Sequence, residues 1–124
     1  MDHPFADLID LRVDEQGAGR STASLRVAPV HLNPHGVVHG AVVCALADTG
    51  MGAALYPGLP AGHICATIDI TINYFKPIAQ GMLVCHSQVV NQGKRVAHLR
   101  AELFVDGLAV ASATSNYAIF APRG

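Results

Sequence analysis

Residues 31–56 read HLNPHGVVHGAVVCALADTGMGAALY, a loop punctuated by Pro34 and Gly36 that runs into a long apolar stretch holding one acid, Asp48. From Gly40 to Tyr56 every residue except Asp48 and Thr49 is apolar or glycine, so a helix here is apolar all round and is expected to be buried on most faces. Aspartate is almost never fully buried without a partner, and an isolated carboxylate in a low-dielectric site is driven toward its neutral form. Asp48 is therefore expected either to be paired or to do chemistry.

The flanks of this stretch set its limits. Pro34 lacks an amide proton and holds Asn33 extended, so HLNPHG is a shaped loop. The helix is expected to begin near His39 and to stop before Pro57. Downstream, HICATIDITINYF (63–75) alternates, with Cys65, Thr67, Asp69, Thr71 and Asn73 on one side and Ile64, Ala66, Ile68, Ile70, Ile72 and Tyr74 on the other. That period predicts a strand with Asp69 on the same face as Thr67. MLVCHSQVV, RVAHLRAELFV and LAVASATSNYAIF predict three more strands, joined by a loose turn at Asn91–Gly93 and a two-residue one at Asp106–Gly107, hence an antiparallel meander.

Upstream, STASLRVAPV alternates as a strand that Pro29 ends, DEQGAG (14–19) reads as a turn, and FADLIDLRV is a short helix or strand. One long helix inserted early among five or six strands predicts a single α+β domain over residues 1–124, a five- or six-stranded antiparallel sheet wrapped on a central helix. Small residues at Ala45, Ala47, Gly50, Gly52, Ala53 and Ala54 are expected to let strands approach that helix closely.

The bulk properties exclude several roles. A formal net charge of −1 with eight scattered Lys and Arg offers no surface for a nucleic acid. The hydrophobic fraction of 51% against 14% charged residues points to apolar surface hidden between subunits. Cys44, Cys65 and Cys85 form no CxxC pair and read as buried apolar residues of a reducing compartment. The first residues, MDHPFADLID, have neither the basic nor the apolar region of a signal peptide, and the 40–56 run is too short and too acidic at its middle for a membrane span, so a cytoplasmic protein is expected.

Asn33, Gly36, His39, Gly40 and Asp48, spaced N-x-x-G-x-x-H-G-x(7)-D and followed by TIDITINYFKP, resemble the hotdog-fold acyl-CoA thioesterases of the phenylacetate-degradation (PaaI-like) type. The likeness runs from about Val27 to Phe120. It implies a sheet around a central helix, subunits paired edge to edge as the minimum active homodimer with a homotetramer expected, and hydrolysis of an acyl- or aryl-CoA thioester with no metal or organic cofactor.

Carried onto this sequence, the resemblance makes Asp48 the general base or nucleophile and gives the Gly40 N–H to the thioester carbonyl. Asn33 orients water or substrate, and Thr67 helps hold the attacking water. Beside these, His39 is expected to pack or hydrogen-bond in the site without moving a proton. The Asn and Gly come from one subunit and the acid and hydroxyl from the other. Where the family commonly has His-Gly-Gly, this chain has His39–Gly40–Ala41. Spacing alone agrees with a shared site: eight residues at about 1.5 Å each place Asp48 roughly 12 Å from Gly40 on one helix, too far for joint action within one chain.

Lys94 and Arg95, in the turn after MLVCHSQVV, are solvated turn charges or partners of the CoA phosphates. Asp69 is expected to be a solvent or interface group. His31, His35 and His39 have a four-residue spacing that suggests a metal, but Pro34 and Gly36 prevent the helix that would align their rings. Three rivals stand beside hydrolysis: a non-catalytic hotdog module that binds acyl-CoA, a hotdog hydratase, whose Asp and His five residues apart this chain lacks, and a purely structural oligomer, which leaves Asp48 unexplained.

Overall fold

The computed structural model describes residues 2–123. A short helix α1 (Pro4–Leu8) leads into a hairpin of β1 (Arg12–Gly17) and β2 (Arg20–Arg26), followed by a 3-10 turn at Pro29–His31. The long helix α2 (Gly40–Leu55) comes next, then β3 (Ile64–Tyr74), β4 (Met82–Gln92), β5 (Val96–Val105) and β6 (Leu108–Phe120). All strands pair antiparallel in the order β1-β2-β4-β5-β6-β3. One helix lies on one face of this sheet, the hotdog arrangement.

Residues 14–17, expected in a turn, are strand: Glu15 pairs with Thr22, Gln16 with Ser21 and Gly17 with Arg20, and the chain reverses at Ala18–Gly19. Charged side chains there suit an edge strand, where they discourage pairing with other chains. The expected meander of the last three strands is present as β4-β5-β6.

His39 starts α2 by accepting the Ala41 N–H on its ring Nδ1 at 2.9 Å, which satisfies one of the orphan donors of a helix N-terminus. The helix buries Val43, Leu46, Ala47, Gly50, Met51, Ala54 and Leu55. Steps of three and one along that series put all seven on one stripe. The expectation of burial on most faces is corrected: the other side, with Val42, Cys44, Ala45 and Ala53 beside Asp48 and Thr49, is only half covered. The sheet covers the buried stripe, and on this other side Gln16 Nε2 of β1 donates to the Ala53 carbonyl at 3.2 Å.

The stripe sits closely on β2 and β4. A Cβ on Gly50 would lie 3.0 Å from Ser87 Oγ and 3.3 Å from Cys85 Sγ. Ser21 Oγ, itself buried, donates to the Gly50 carbonyl at 2.6 Å. Glycine here lets the helix backbone enter hydrogen-bonding range of the sheet. Gly50, Ala47 and Ala54 thus serve the expected close approach, whereas Ala45 and Ala53 lie on the half-covered side.

β3 departs from the expected alternation. Thr67 is paired with Tyr117 and Asp69 with Asn116, so Ile68 is an extra residue opposite no partner. Such a bulge turns the strand over. Thr67 therefore faces the helix, whereas Asp69 faces outward, where it accepts from the Asn116 backbone and side-chain nitrogens at 2.9 and 3.1 Å.

Candidate active site

Asp48 lies half-buried on α2. Its Oδ1 accepts from Thr67 Oγ1 at 2.7 Å and from the Tyr117 hydroxyl at 2.6 Å, and the same hydroxyl is 2.7 Å from the Asp48 main-chain oxygen. The acid is thus paired by two hydroxyls rather than by a cation. Hydrogen bonds to a charged acceptor are roughly twice as strong as neutral ones, so a carboxylate suits this place.

Tyr117 was not singled out by the sequence. Its only sequence signal is position: in LAVASATSNYAIF the inward residues Ala111, Ala113 and Ser115 are small, whereas Tyr117 puts a long side chain with a hydroxyl on the same buried face. Burial drives its phenol well above the usual tyrosine range, and the hydrogen bond to Asp48 and the nearby carboxylate charge act in the same direction, against a smaller opposing effect of Thr67. Tyr117 therefore stays protonated and stays a donor.

Two thiols border the carboxylate. Cys44, one helical turn before Asp48, and Cys65, two residues before Thr67, are both raised above the ordinary thiol value, chiefly by burial and further by the Asp48 charge; a hydrogen bond with Tyr56 partly offsets this at Cys65. Both are neutral at ordinary pH, and poor nucleophiles in that form.

The other half of the expected site lies at the opposite end of the helix. Gly40 is the first residue of α2, and its N–H has no hydrogen-bond partner among the described residues. Its carbonyl accepts from the Tyr74 hydroxyl at 2.8 Å. A Cβ at position 40 would meet that hydroxyl at 3.1 Å and its ring carbon at 3.3 Å, so glycine leaves room for Tyr74. Beside it opens a cavity of about 300 Å³ lined by Val38, Val43, Tyr74, Phe75, Lys76 and Ile78.

Asn33 shapes the loop before the helix: its Oδ1 accepts from the His35 N–H at 2.9 Å and the Val37 N–H at 3.4 Å. It does not cap α2, a place His39 takes. His31 is buried in the core with its Nε2 at 2.7 Å from the Ile9 carbonyl and its Nδ1 accepting the Ala28 N–H. Nε2 must then carry the proton. Both nitrogens are engaged, and the His39 ring is spent on capping α2.

Lys94 and Arg95 are exposed in the β4–β5 turn. Ala97, two residues on, pairs with Tyr117, which pairs with Thr67, so these cations occupy the same end of the sheet as the carboxylate. A second, larger cavity of about 530 Å³ lies on the outer face, among Thr22, His86, Gln88, Arg100 and Glu102. The sheet separates it from Asp48.

A helix laid on an antiparallel sheet, an acid in that helix and a free amide at its start define a hotdog protein of thioesterase type. The family model of the Thioesterase superfamily matches residues 35–112, and the chain belongs to that superfamily. It is 34% identical to a protein of Halobacterium salinarum provisionally named an esterase, over 77% of this chain and 66% of that one. A second such relative, from Archaeoglobus fulgidus, is 30% identical over 73% of this chain, which spans only 58% of its length. Among solved structures, a conserved protein from Pseudomonas aeruginosa superposes with a TM-score of 0.93 at 27% identity, over 97% of this chain and 96% of that one. A mutant of the phenylacetic acid degradation protein PaaI from Thermus thermophilus gives 0.87 at 27% identity, over 94% and 98%.

No helix among the described residues is long and apolar enough to cross a membrane.

Proposed function

We propose that the protein is an acyl-CoA thioesterase whose active site is shared between two copies of the chain. The observation that carries this reading is Asp48: a carboxylate set in an apolar helix and gripped by two hydroxyls, with no ion pair to a cation among the described residues. In this reading Asp48 takes a proton from water as the water oxygen bonds to the thioester carbon. The carbonyl oxygen becomes an oxyanion, met by the Gly40 N–H of the other copy at a helix N-terminus, where the peptide dipoles favour negative charge. The intermediate collapses, the carbon–sulfur bond breaks, and the thiolate of CoA leaves with the proton Asp48 held.

The exposed side of α2 and the edge strand β3 support the two-copy arrangement. Ile68, Tyr74 and Phe75 are each more than half exposed, and β3 has a sheet neighbour on one side only. Edge pairing of two β3 strands covers those residues and supplies the missing ladder. Asn33 then orients the water or the substrate, His39 fixes the Gly40 amide by capping the helix, and Lys94 and Arg95 meet the CoA phosphates.

A panel of aliphatic and aromatic CoA thioesters assayed by free-thiol release tests the reading. Asp48→Asn is expected to lower turnover by about 10³-fold or more, at the upper end of general-base effects. Equal thiol release by both folded proteins would sink it. CoA-ester binding without turnover identifies the binding module instead, and loss of enoyl-CoA absorbance without free thiol identifies a hydratase.

A further inference from the structure

We infer that Tyr117 is a positioning residue that determines which oxygen of Asp48 does the chemistry. It holds Oδ1 and leaves Oδ2 for the water. This rests on the thioesterase reading above.

Both side-chain donors converge on one atom. Thr67 Oγ1 and the Tyr117 hydroxyl lie 2.7 and 2.6 Å from Oδ1, while Oδ2 has no hydrogen-bond partner among the described residues. A carboxylate on an open helix face can turn about its last bond and present either oxygen. Two donors on Oδ1 remove that freedom and leave the lone pairs of Oδ2 available.

Tyr117 is the better anchored of the two donors. Thr67 belongs to the exposed edge strand, whereas Tyr117 is 3% exposed on β6, between β5 and β3. Its ring rests against the helix: a Cβ on Gly52 would lie 3.8 Å from it. The phenol has one proton to give and two Asp48 oxygens within reach. Within a helix the main-chain oxygen already accepts from the residue four on, so the charged Oδ1 is the stronger acceptor. Burial keeps the phenol protonated far above neutral pH, so Tyr117 remains a donor to Oδ1.

Tyr117 does not reach the reacting carbon in this arrangement. Removing its hydroxyl is expected to act on turnover and leave substrate binding alone. Tyr117→Phe deletes one oxygen without opening a large cavity, and Thr67 still donates to Oδ1.

The test assays wild type, Asp48→Asn and Tyr117→Phe on whichever panel thioester the wild type turns over fastest, with melting temperature and oligomeric state recorded for each. Tyr117→Phe is expected to lower kcat by about 10- to 100-fold, the size of one hydrogen bond to a charged group, with KM within about twofold of wild type and the assembly intact. An unchanged kcat beside an inactive Asp48→Asn overturns the positioning role and leaves the thioesterase reading standing. So does a change confined to KM, or a Tyr117→Phe protein that fails to fold, which makes the hydroxyl structural. Equal activity of wild type and Asp48→Asn, or no thiol release from any ester, overturns the thioesterase reading itself and this inference with it.

Discussion

β3 and β5 are near equals as sequences, and the folded chain treats them as opposites. β5 alternates as written: Ala97, Leu99, Ala101 and Leu103 are buried under the helix, with Val96, Arg100 and Glu102 outside. β3 is richer in β-branched residues, yet none of its eleven positions is buried. The difference is place: β5 lies between β4 and β6, β3 at the edge. A period of two identifies a strand and says nothing about what will cover it. Apolar residues left uncovered on an edge reserve a surface for something else.

Four measurements press on that contrast. The largest effect is expected from Ile68→Lys, which places a charge in the exposed bulge of β3. In the two-copy reading it separates the subunits and lowers thioester hydrolysis by about 100-fold or more, while far-UV circular dichroism stays native. A dimeric, active variant in sedimentation breaks the proposed use of this edge. Leu99→Ala on β5 is expected to do the reverse, costing about 2–5 kcal/mol in urea unfolding with kcat per folded protein unchanged. A comparable stability loss from a β3 substitution on the helix side, such as Ile72→Ala in the separated subunit, would erase the distinction.

The third concerns the thiol under the helix. Cys85 is driven by burial from 9.0 up to about 11, with Ser87 opposing. A raised folded value means that this contribution is whole below about pH 9 and is lost as pH rises through about 11, a span worth roughly 2–3 kcal/mol. Cys85→Ala should flatten that part of the alkaline stability curve. A curve as steep as wild type would show that other groups carry it. The smallest effect is expected from Gly50→Ala, about 1–3 kcal/mol by overpacking against Ser87 and Cys85. An unchanged urea midpoint would show that the helix can lift away from β2 and β4 without cost.

What could be read in the sequence follows from the same distinction. The helix limits, the meander and the turn at Asp106–Gly107 depend on local pattern and were legible, whereas the turn expected at Asn91–Gly93 falls later, at Gly93–Arg95, because β4 runs on through Asn91 and Gln92 paired with β5. Three features were not. The bulge at Ile68 is hidden because TIDIT keeps a perfect period of two in sequence, and only pairing against Tyr117 and Asn116 reveals that Thr67 and Asp69 part company. Strand β1 was masked by the turn-like composition of Asp14–Gly17, tolerated because an edge strand can face water on both sides. Tyr117 was missed because its partner Asp48 stands 69 residues away. The acid announced itself by being out of place, whereas a tyrosine in an apolar strand does not.

The order of strands also bears on how the chain leaves the ribosome. β3 has a single sheet neighbour, β6, and β6 begins only at Leu108, after β4 and β5 have been made. At about 5–20 residues per second, the roughly 30 intervening residues leave β3 without a ladder for a few seconds of every synthesis. Over that interval an isoleucine-rich strand has two open edges, and Asp48 has neither Tyr117 nor a settled Thr67. β6, the latest of the six described strands to be translated, both closes the sheet and assembles the grip on the acid, so a nascent chain arrested before residue 117 carries the carboxylate without it.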